Sequence, residues 1–196
     1  MKHMKFKNKN EFRTYCKRRL KGAMSKNKIK RDFLVREKIL DYIDKTKAKN
    51  ILLYLSLNSE IDTKKLLLQL RKSRKQTIFV PFMEGVSFKM VKYRLPLYIK
   101  KFNIKEPRNS FAISKKIDLA IVPVLGVDGA FRRVGFGKGM YDRFFESLGY
   151  KPKIAFVELT DCFTSLHVGE SHDIQADIYI TPYKTKIVRR FTKRVR

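Results

Sequence analysis

Tryptophan is absent from these 196 residues, cysteine occurs twice, proline six times and glycine nine times. Two cysteines, Cys16 and Cys162, cannot make the multi-bridge framework of a small secreted domain, and they lack metal-type spacing. The N-terminus is basic, but no apolar segment follows it, so a secretory leader is not expected. Long apolar runs are missing too: the longest, around Ala120–Val127, is broken by Pro123 and falls far short of the roughly 20 residues that span a bilayer. Acids are scarce, 18 against 46 basic residues, which leaves a net charge of +28. What is present is a hydrophobic content of 43% with 12% aromatics, too much for a disordered chain. The expectation is a soluble, globular, cytoplasmic protein with one hydrophobic core and a monomeric state.

An excess of +28 invites a nucleic-acid reading, so its location matters. The basic residues crowd the first half of the chain and the tail 184–196, which has seven of them and no acid. Residues 117–183 hold six basic and nine acidic side chains, so that stretch is mildly negative. A dispersed lysine excess reads as solvated surface, and the tail as a frayed or helical appendage to a domain over 1–183.

Hydrophobic spacing divides the chain into alternating helices and strands. Phe12, Tyr15, Cys16, Leu20 and Ala23 predict an amphipathic helix over 9–23. Ser25 reads as the cap of a second helix with the stripe Ile29, Phe33, Leu40 and Ile43. Strands are expected at 51–55, 77–83 (ended by Pro81 and Gly85), 88–93, 117–124, 153–159 and 177–181, with helices opened by Asp62-Thr63 and by Gly139. Residues 94–116 read as an irregular connection. Such alternation argues a three-layer α/β/α domain around a mostly parallel sheet, in which ligands bind beyond the carboxyl ends of the strands.

The glycine-rich stretch 125–139 follows the strongest strand and runs into a helix, which is where such a site would lie. Gly135, Gly137 and Gly139 allow backbone N–H groups to turn inward toward phosphate oxygens. Arg133 and Lys138 supply cations, and Asp142, one turn into the helix, is placed to hold Mg²⁺. Known phosphate signatures do not fit. Lys138 is followed by Gly139 rather than Ser or Thr, which excludes a Walker loop, and Met140 stands where a dinucleotide fingerprint needs its third glycine. Read without further context, a flexible surface loop stays an alternative to an anion site. His167, Glu170, His172 and Asp173 cluster in sequence, but on poor zinc spacing they read as a surface loop. Cys16, on a basic helix, shows no His or Asp partner for nucleophilic chemistry.

The run Arg133-Val134-Gly135-Phe136-Gly137-Lys138-Gly139-Met140-Tyr141-Asp142-Arg143, after Pro123, Gly126 and Asp128, resembles the hallmark of the 5-formyltetrahydrofolate cyclo-ligase family. Three further blocks resemble that family in the right order: Lys9-Asn10-Glu11-Phe12-Arg13, Tyr54 through Thr63, and Asp173-Ile174-Gln175-Ala176-Asp177. Together they cover about residues 9–182. Two departures stand out: Met140 replaces the first tyrosine of a Tyr-Tyr pair, and Phe82 follows Pro81 where the family places a basic residue.

The resemblance implies an ATP- and Mg²⁺-dependent ring closure of 5-formyltetrahydrofolate to 5,10-methenyltetrahydrofolate through a phosphorylated formyl group, and a fold like that of the sugar-phosphate isomerase and CoA-transferase-like proteins. It implies that Lys9, Arg13 and the loop from Arg133 through Gly135, Phe136, Gly137, Lys138, Gly139 and Met140 to Tyr141 bind ATP. It assigns Leu55 and Glu60 to the folate, Asp142 and Asp177 to the metal, and charge neutralisation in catalysis to Lys138 and Arg133. Leu55 as core, Tyr141 as packing and Asp177 as a structural cap are the plainer readings of those residues. Two other classes of function stay open at this point: a basic nucleic-acid-binding protein, although no such motif occurs, and a sibling α/β sugar-phosphate enzyme that uses no ATP.

Overall fold

The computed structural model describes residues 6–100, 104–108 and 116–188. Two helices open the chain, α1 (Lys9–Met24) and α2 (Lys28–Thr46), followed by β1 (Asn50–Leu53), α3 (Lys64–Ser73), β2 (Thr77–Glu84) and β3 (Ser87–Lys92). Then come β4 (Leu97–Ile99), β5 (Lys105–Pro107), β6 (Leu119–Pro123), β7 (Gly126–Val127), β8 (Arg133–Val134), α4 (Met140–Glu146), β9 (Lys153–Val157), β10 (Ile178–Ile180) and β11 (Thr185–Ile187). Seven strands form one sheet in the order β11-β10-β9-β6-β1-β2-β3. The five inner strands run parallel, and β3 and β11 close the two edges antiparallel. The expected α/β architecture is therefore present.

Two-residue alternation explains the layering. Ile51 and Leu53 of β1, Leu119 and Ile121 of β6, and Ala155 and Val157 of β9 pack with Phe12, Leu20, Ile39, Leu66 and Leu70 of the first three helices. Leu52, Ala120, Val122 and Phe156 point the other way, against Phe144 of α4 and Phe88. Three helices thus cover one face of the sheet and α4 the other. Leu66, Leu67 and Leu70 of α3 are buried, and each such side chain contributes roughly 2 kcal/mol on removal from water.

Four expectations are corrected. Ser25 ends α1, its Oγ donating to Gly22 O at 3.0 Å, and α2 starts after Asn27 in the left-handed region. The buried stripe of α2 is Val35, Ile39 and Ile43, whereas Ile29 is 82% exposed and Phe33 49%. The spacing was helical, but the phase was set by two residues lying ahead of the part of α2 that meets the sheet. Pro81 lies inside β2 rather than ending it: β1 pairs only as far as Phe79, so the missing N–H of Pro81 deprives no neighbour. The stretch taken as irregular carries the β4–β5 ribbon, tied down where buried Glu106 accepts Met83 N–H at 2.9 Å.

The tail also departs from its reading. Thr185–Ile187 is an edge strand on β10, so the sheet continues past residue 183; residues 189–196 lie outside the described residues. Cys16 and Cys162, too few for a framework and without metal-type spacing, form a single disulfide with their Cα atoms 5.7 Å apart across 146 residues of sequence. It fastens α1 to the segment after β9. The approach is close because Gly126 lies beneath it: a Cβ there would sit 2.6 Å from Cys16 Sγ and 3.0 Å from the Phe12 ring. Among the described residues no helix is long and apolar enough to cross a membrane.

Candidate active site

The carboxyl ends of β1, β2 and β6 open into two cavities that share a wall. The first, of about 270 Å³, lies over Tyr54, Leu55, Pro81, Met83, Phe88 and Tyr141, with Ile104 and Lys105 of the β4–β5 segment at its side. The second, of about 250 Å³, lies between α1 and the glycine loop and is lined by Lys9, Arg13, Asp142, Arg143 and Asp173. Arg133, Lys138 and Gly139 line both.

The glycine loop is built by hydrogen bonds outside itself. Buried Asp128 accepts from Ala130, Arg132 and Gly169 N–H at 2.8–2.9 Å, which sets the turn between β7 and β8. Gly137 (φ 106°) and Gly139 (φ 60°) occupy backbone conformations that side-chain-bearing residues rarely adopt. A Cβ on Gly135 would run into the Arg133 guanidinium. Arg143 fixes the loop from below, donating from Nε to Val86 O at 3.0 Å and from Nη2 to Lys138 O. The loop is thereby anchored at both ends, with Lys138 and Phe136 exposed at its crest.

Charge in the second cavity is arranged in crossed pairs. Lys9 Nζ lies 2.7 and 2.6 Å from the two oxygens of Asp173, and Arg133 Nη1 lies 3.2 Å from Asp142 Oδ2. Arg13 Nε donates to Gly135 O at 2.9 Å, so α1 and the loop are stitched together directly. The Arg133 guanidinium also stands 5.1 Å from the Tyr141 ring centre.

The first cavity is apolar apart from Glu60, Lys105 at its side and the shared wall. Glu60 Oε2 accepts Leu57 N–H at 2.8 Å. Burial pushes its carboxyl above the usual range, while that hydrogen bond and the charges of Arg133 and Lys28 pull the other way. Burial also raises the Tyr141 hydroxyl, with Glu60 adding to the effect and Arg133 opposing it. Tyr141 meets Phe88 edge-on at 5.0 Å, and Phe88 stacks on Phe144 at 4.3 Å.

Lys9, Arg13, Arg133, Gly135, Gly137, Lys138, Gly139 and Asp142 therefore converge on the second cavity, and Leu55, Glu60, Phe136, Met140 and Tyr141 on the first. Asp177 does not join them. Its carboxylate accepts Ile154 N–H at 2.8 Å, at the entry edge of β9 and β10, the opposite edge of the sheet from the glycine loop. The acid that does reach the cavity is Asp173, four residues earlier and buried. Sequence reading had placed Asp173 in a surface loop. The clue against Asp177 was its position at the start of a parallel strand, since sites form at the other edge. Tyr54, Met83, Phe88 and Lys105 were also missed as lining residues, because they come from strand ends far apart in sequence. Among the described residues no group of three or more His, Cys, Asp or Glu is disposed to hold a metal ion.

Comparison with known proteins converges on one family. The family profile described as the 5-formyltetrahydrofolate cyclo-ligase family matches residues 5–182. The 5-formyltetrahydrofolate cyclo-ligase of Mus musculus is 26% identical over 150 residues, spanning 70% of this chain and 73% of its own length. That of Mycoplasma genitalium is 24% identical over 152 residues, spanning 76% and 82%. Among solved structures, the 5,10-methenyltetrahydrofolate synthetase of Aquifex aeolicus aligns with a TM-score of 0.74 at 24% identity over 93% of both chains. That of Mycoplasma pneumoniae aligns at 0.65 and 20% identity, over 89% of this chain and 98% of its own. At such identities these two structures speak for the fold alone. The profile, by contrast, runs through nearly the whole chain and includes both cavities, and on that ground the chain belongs to the 5-formyltetrahydrofolate cyclo-ligase family of enzymes.

Proposed function

We propose that this chain closes 5-formyltetrahydrofolate to 5,10-methenyltetrahydrofolate at the expense of ATP, which leaves as ADP and phosphate. One observation carries the reading: an apolar cavity with a single carboxylate and a polar cavity with crossed charges meet at Arg133, Lys138 and Gly139. A flat heteroaromatic substrate suits the first and a triphosphate the second, and the shared wall is where a formyl oxygen and a γ-phosphorus would come together.

The chemistry asked of the protein is positioning and charge neutralisation. The formyl oxygen attacks the γ-phosphorus and ADP departs, leaving the formyl carbon bonded to N5 and to a phosphate ester oxygen. N10 then attacks that carbon, its proton passes to solvent, and the C–O bond breaks to release phosphate. No protein nucleophile is required, in keeping with two cysteines that are tied in a disulfide. Arg133 and Lys138 would neutralise charge on the transferring phosphoryl group from the common wall. Lys9 and Arg13 would hold the remaining phosphates from α1. Glu60 would accept hydrogen bonds from the amidine-like edge of the pterin, with Leu55, Met83, Phe88 and Tyr141 forming its apolar surround.

The residues present also fit a divalent cation. Asp142 and Asp173 bring two buried carboxylates to the phosphate cavity, hard oxygen ligands of the kind Mg²⁺ takes. The ion would offset phosphate charge when bound; orienting the phosphates falls to the loop amides and the four basic side chains.

The test is direct. Purified protein with 5-formyltetrahydrofolate, Mg²⁺ and ATP is expected to develop the absorbance of the methenyl product, and only when ATP is present. A folded sample that develops none refutes the assignment.

A further inference from the structure

Two cations of the polar cavity, Lys9 and Arg133, are each already paired with a buried acid. Side-chain exposure is 16% for Lys9 and 3% for Asp173, and 9% for Arg133 and 10% for Asp142, so neither pair is screened as a surface ion pair would be. Lys9 is held by both oxygens of Asp173. Glu170 lies 3.9 Å from Lys9 Nζ but is largely exposed, and it can compensate Lys9 only weakly. His172, itself exposed, lies 3.9 Å from Asp173 and 3.3 Å from Glu170.

An anion arriving alone would draw Lys9 and Arg133 away and leave two carboxylates buried without partners. A cation arriving alone would draw Asp173 and Asp142 away and leave the two basic groups so. Separating a buried pair by removing one member is strongly unfavourable, whereas supplying a replacement to both members is not. Resting on the ATP reading above, we propose that these two ion pairs neutralise the site from within and that it opens to ligands by exchange of partners. Lys9 and Arg133 pass from carboxylate to phosphate oxygens only as Asp173 and Asp142 pass to a divalent cation. Metal and nucleotide consequently bind as one unit, and each gains the same factor from the other, as reciprocity of binding free energies requires.

The exchange makes a specific demand on mutants: removing one member of a pair frees the other, and so should tighten binding of an ion with the same sign as the removed charge when that ion is offered alone. Asp173→Asn keeps an acceptor for Glu170 N–H, which Asp173 Oδ2 now binds at 2.6 Å, while freeing Lys9. Binding of the β,γ-imido analogue of ATP is measured by calorimetry in Mg²⁺ and in EDTA. For the unaltered protein the analogue is expected to bind at least about tenfold tighter with Mg²⁺. In Asp173→Asn the affinity in EDTA is expected to rise by about tenfold and the benefit of Mg²⁺ to shrink. Lys9→Met gives the mirror image. Without nucleotide, its affinity for Mn²⁺, read from the paramagnetic resonance signal of the free ion, is expected to rise severalfold. A loss or no change of EDTA-condition affinity in Asp173→Asn overturns the exchange, as does unchanged Mn²⁺ affinity in Lys9→Met. Failure of the unaltered, folded protein to bind the analogue in either buffer is a different result; it removes the ATP reading, and the exchange with it.

Discussion

The two cavities on either side of Lys138 are built by opposite means. The apolar one collects single residues from the ends of β1, β2, β3 and α4, and it contains one half-buried carboxylate, Glu60. The polar one is made by bringing a whole helix, α1, against a glycine loop and an irregular segment, and by crossing Lys9 with Asp173 and Arg133 with Asp142. Shape and desolvation select the ligand on one side, and charge matching does so on the other. Residues on the shared wall should therefore affect both ligands, and residues behind one cavity mainly that cavity's ligand.

The largest effect is expected at the shared wall. Lys138→Ala should lower kcat by about a hundredfold or more, as loss of a group aimed at developing charge does, while leaving the denaturation midpoint nearly unchanged because Lys138 is exposed. Steady-state kinetics beside a urea titration checks both halves, and normal turnover would mean the two cavities do not meet where proposed.

Next comes the support behind the polar cavity. Cys16 lies one turn along α1 from Arg13, and Cys162 sits on the segment that leads to Asp173. Closing a loop of that length is worth about 4–5 kcal/mol in the chain-entropy account. The double variant Cys16→Ala, Cys162→Ala should unfold at markedly lower denaturant and bind the ATP analogue more weakly, with folate binding less affected. Equal losses for both ligands would erase the distinction between the cavities.

On the apolar side, Glu60→Gln should weaken 5-formyltetrahydrofolate binding by about tenfold and change nucleotide affinity less than twofold. Calorimetry with each ligand separates these outcomes. Because burial raises the Glu60 pKa, folate affinity should fall as acidification reaches a pH above the ordinary glutamate range, and Glu60→Gln should flatten that dependence.

A control lies outside both cavities. Glu158 is buried, accepts a hydrogen bond from Tyr179 and has its pKa raised by burial. A raised pKa means that the folded chain holds a proton the unfolded chain gives up, so this part of stability is complete below the ordinary value of 4.5 and is lost as pH rises toward the folded value. Thermal denaturation should show Glu158→Gln gaining on the unaltered protein as pH rises from 4.5, with turnover unaffected.

The smallest effect concerns the surface. With a net charge of +28 and the two anionic substrates proposed above, added salt should lower kcat/KM severalfold while kcat stays nearly constant. A salt-insensitive kcat/KM would leave the charge without a part in capture.

Much of this was legible in the sequence because it depends on short-range pattern. The glycine triplet, the two basic residues beside it and the helix after it are contiguous, and short apolar runs bounded by turn residues located six strands of the main sheet. What was not legible depends on the return of distant segments. Nothing in the spacing of Cys16 and Cys162 brings them together; the pairing follows from α1 lying on Gly126 beside the segment after β9. Asp173 and Asp177 are equally acidic in sequence, and only the course of the chain back across the sheet puts one in the cavity and the other at the far edge. The exposed Ile29 and Phe33 misled for a simpler reason, since a helix longer than its contact with the sheet has apolar spacing beyond that contact.

The central claim is that a phosphoryl group crosses the shared wall onto the formyl oxygen. It is tested most directly with 5-formyltetrahydrofolate carrying ¹⁸O in the formyl group. During turnover with unlabelled ATP in ordinary water, the label is expected in the inorganic phosphate, one atom for each methenyl product formed. Label released to water, with unlabelled phosphate, would contradict the account.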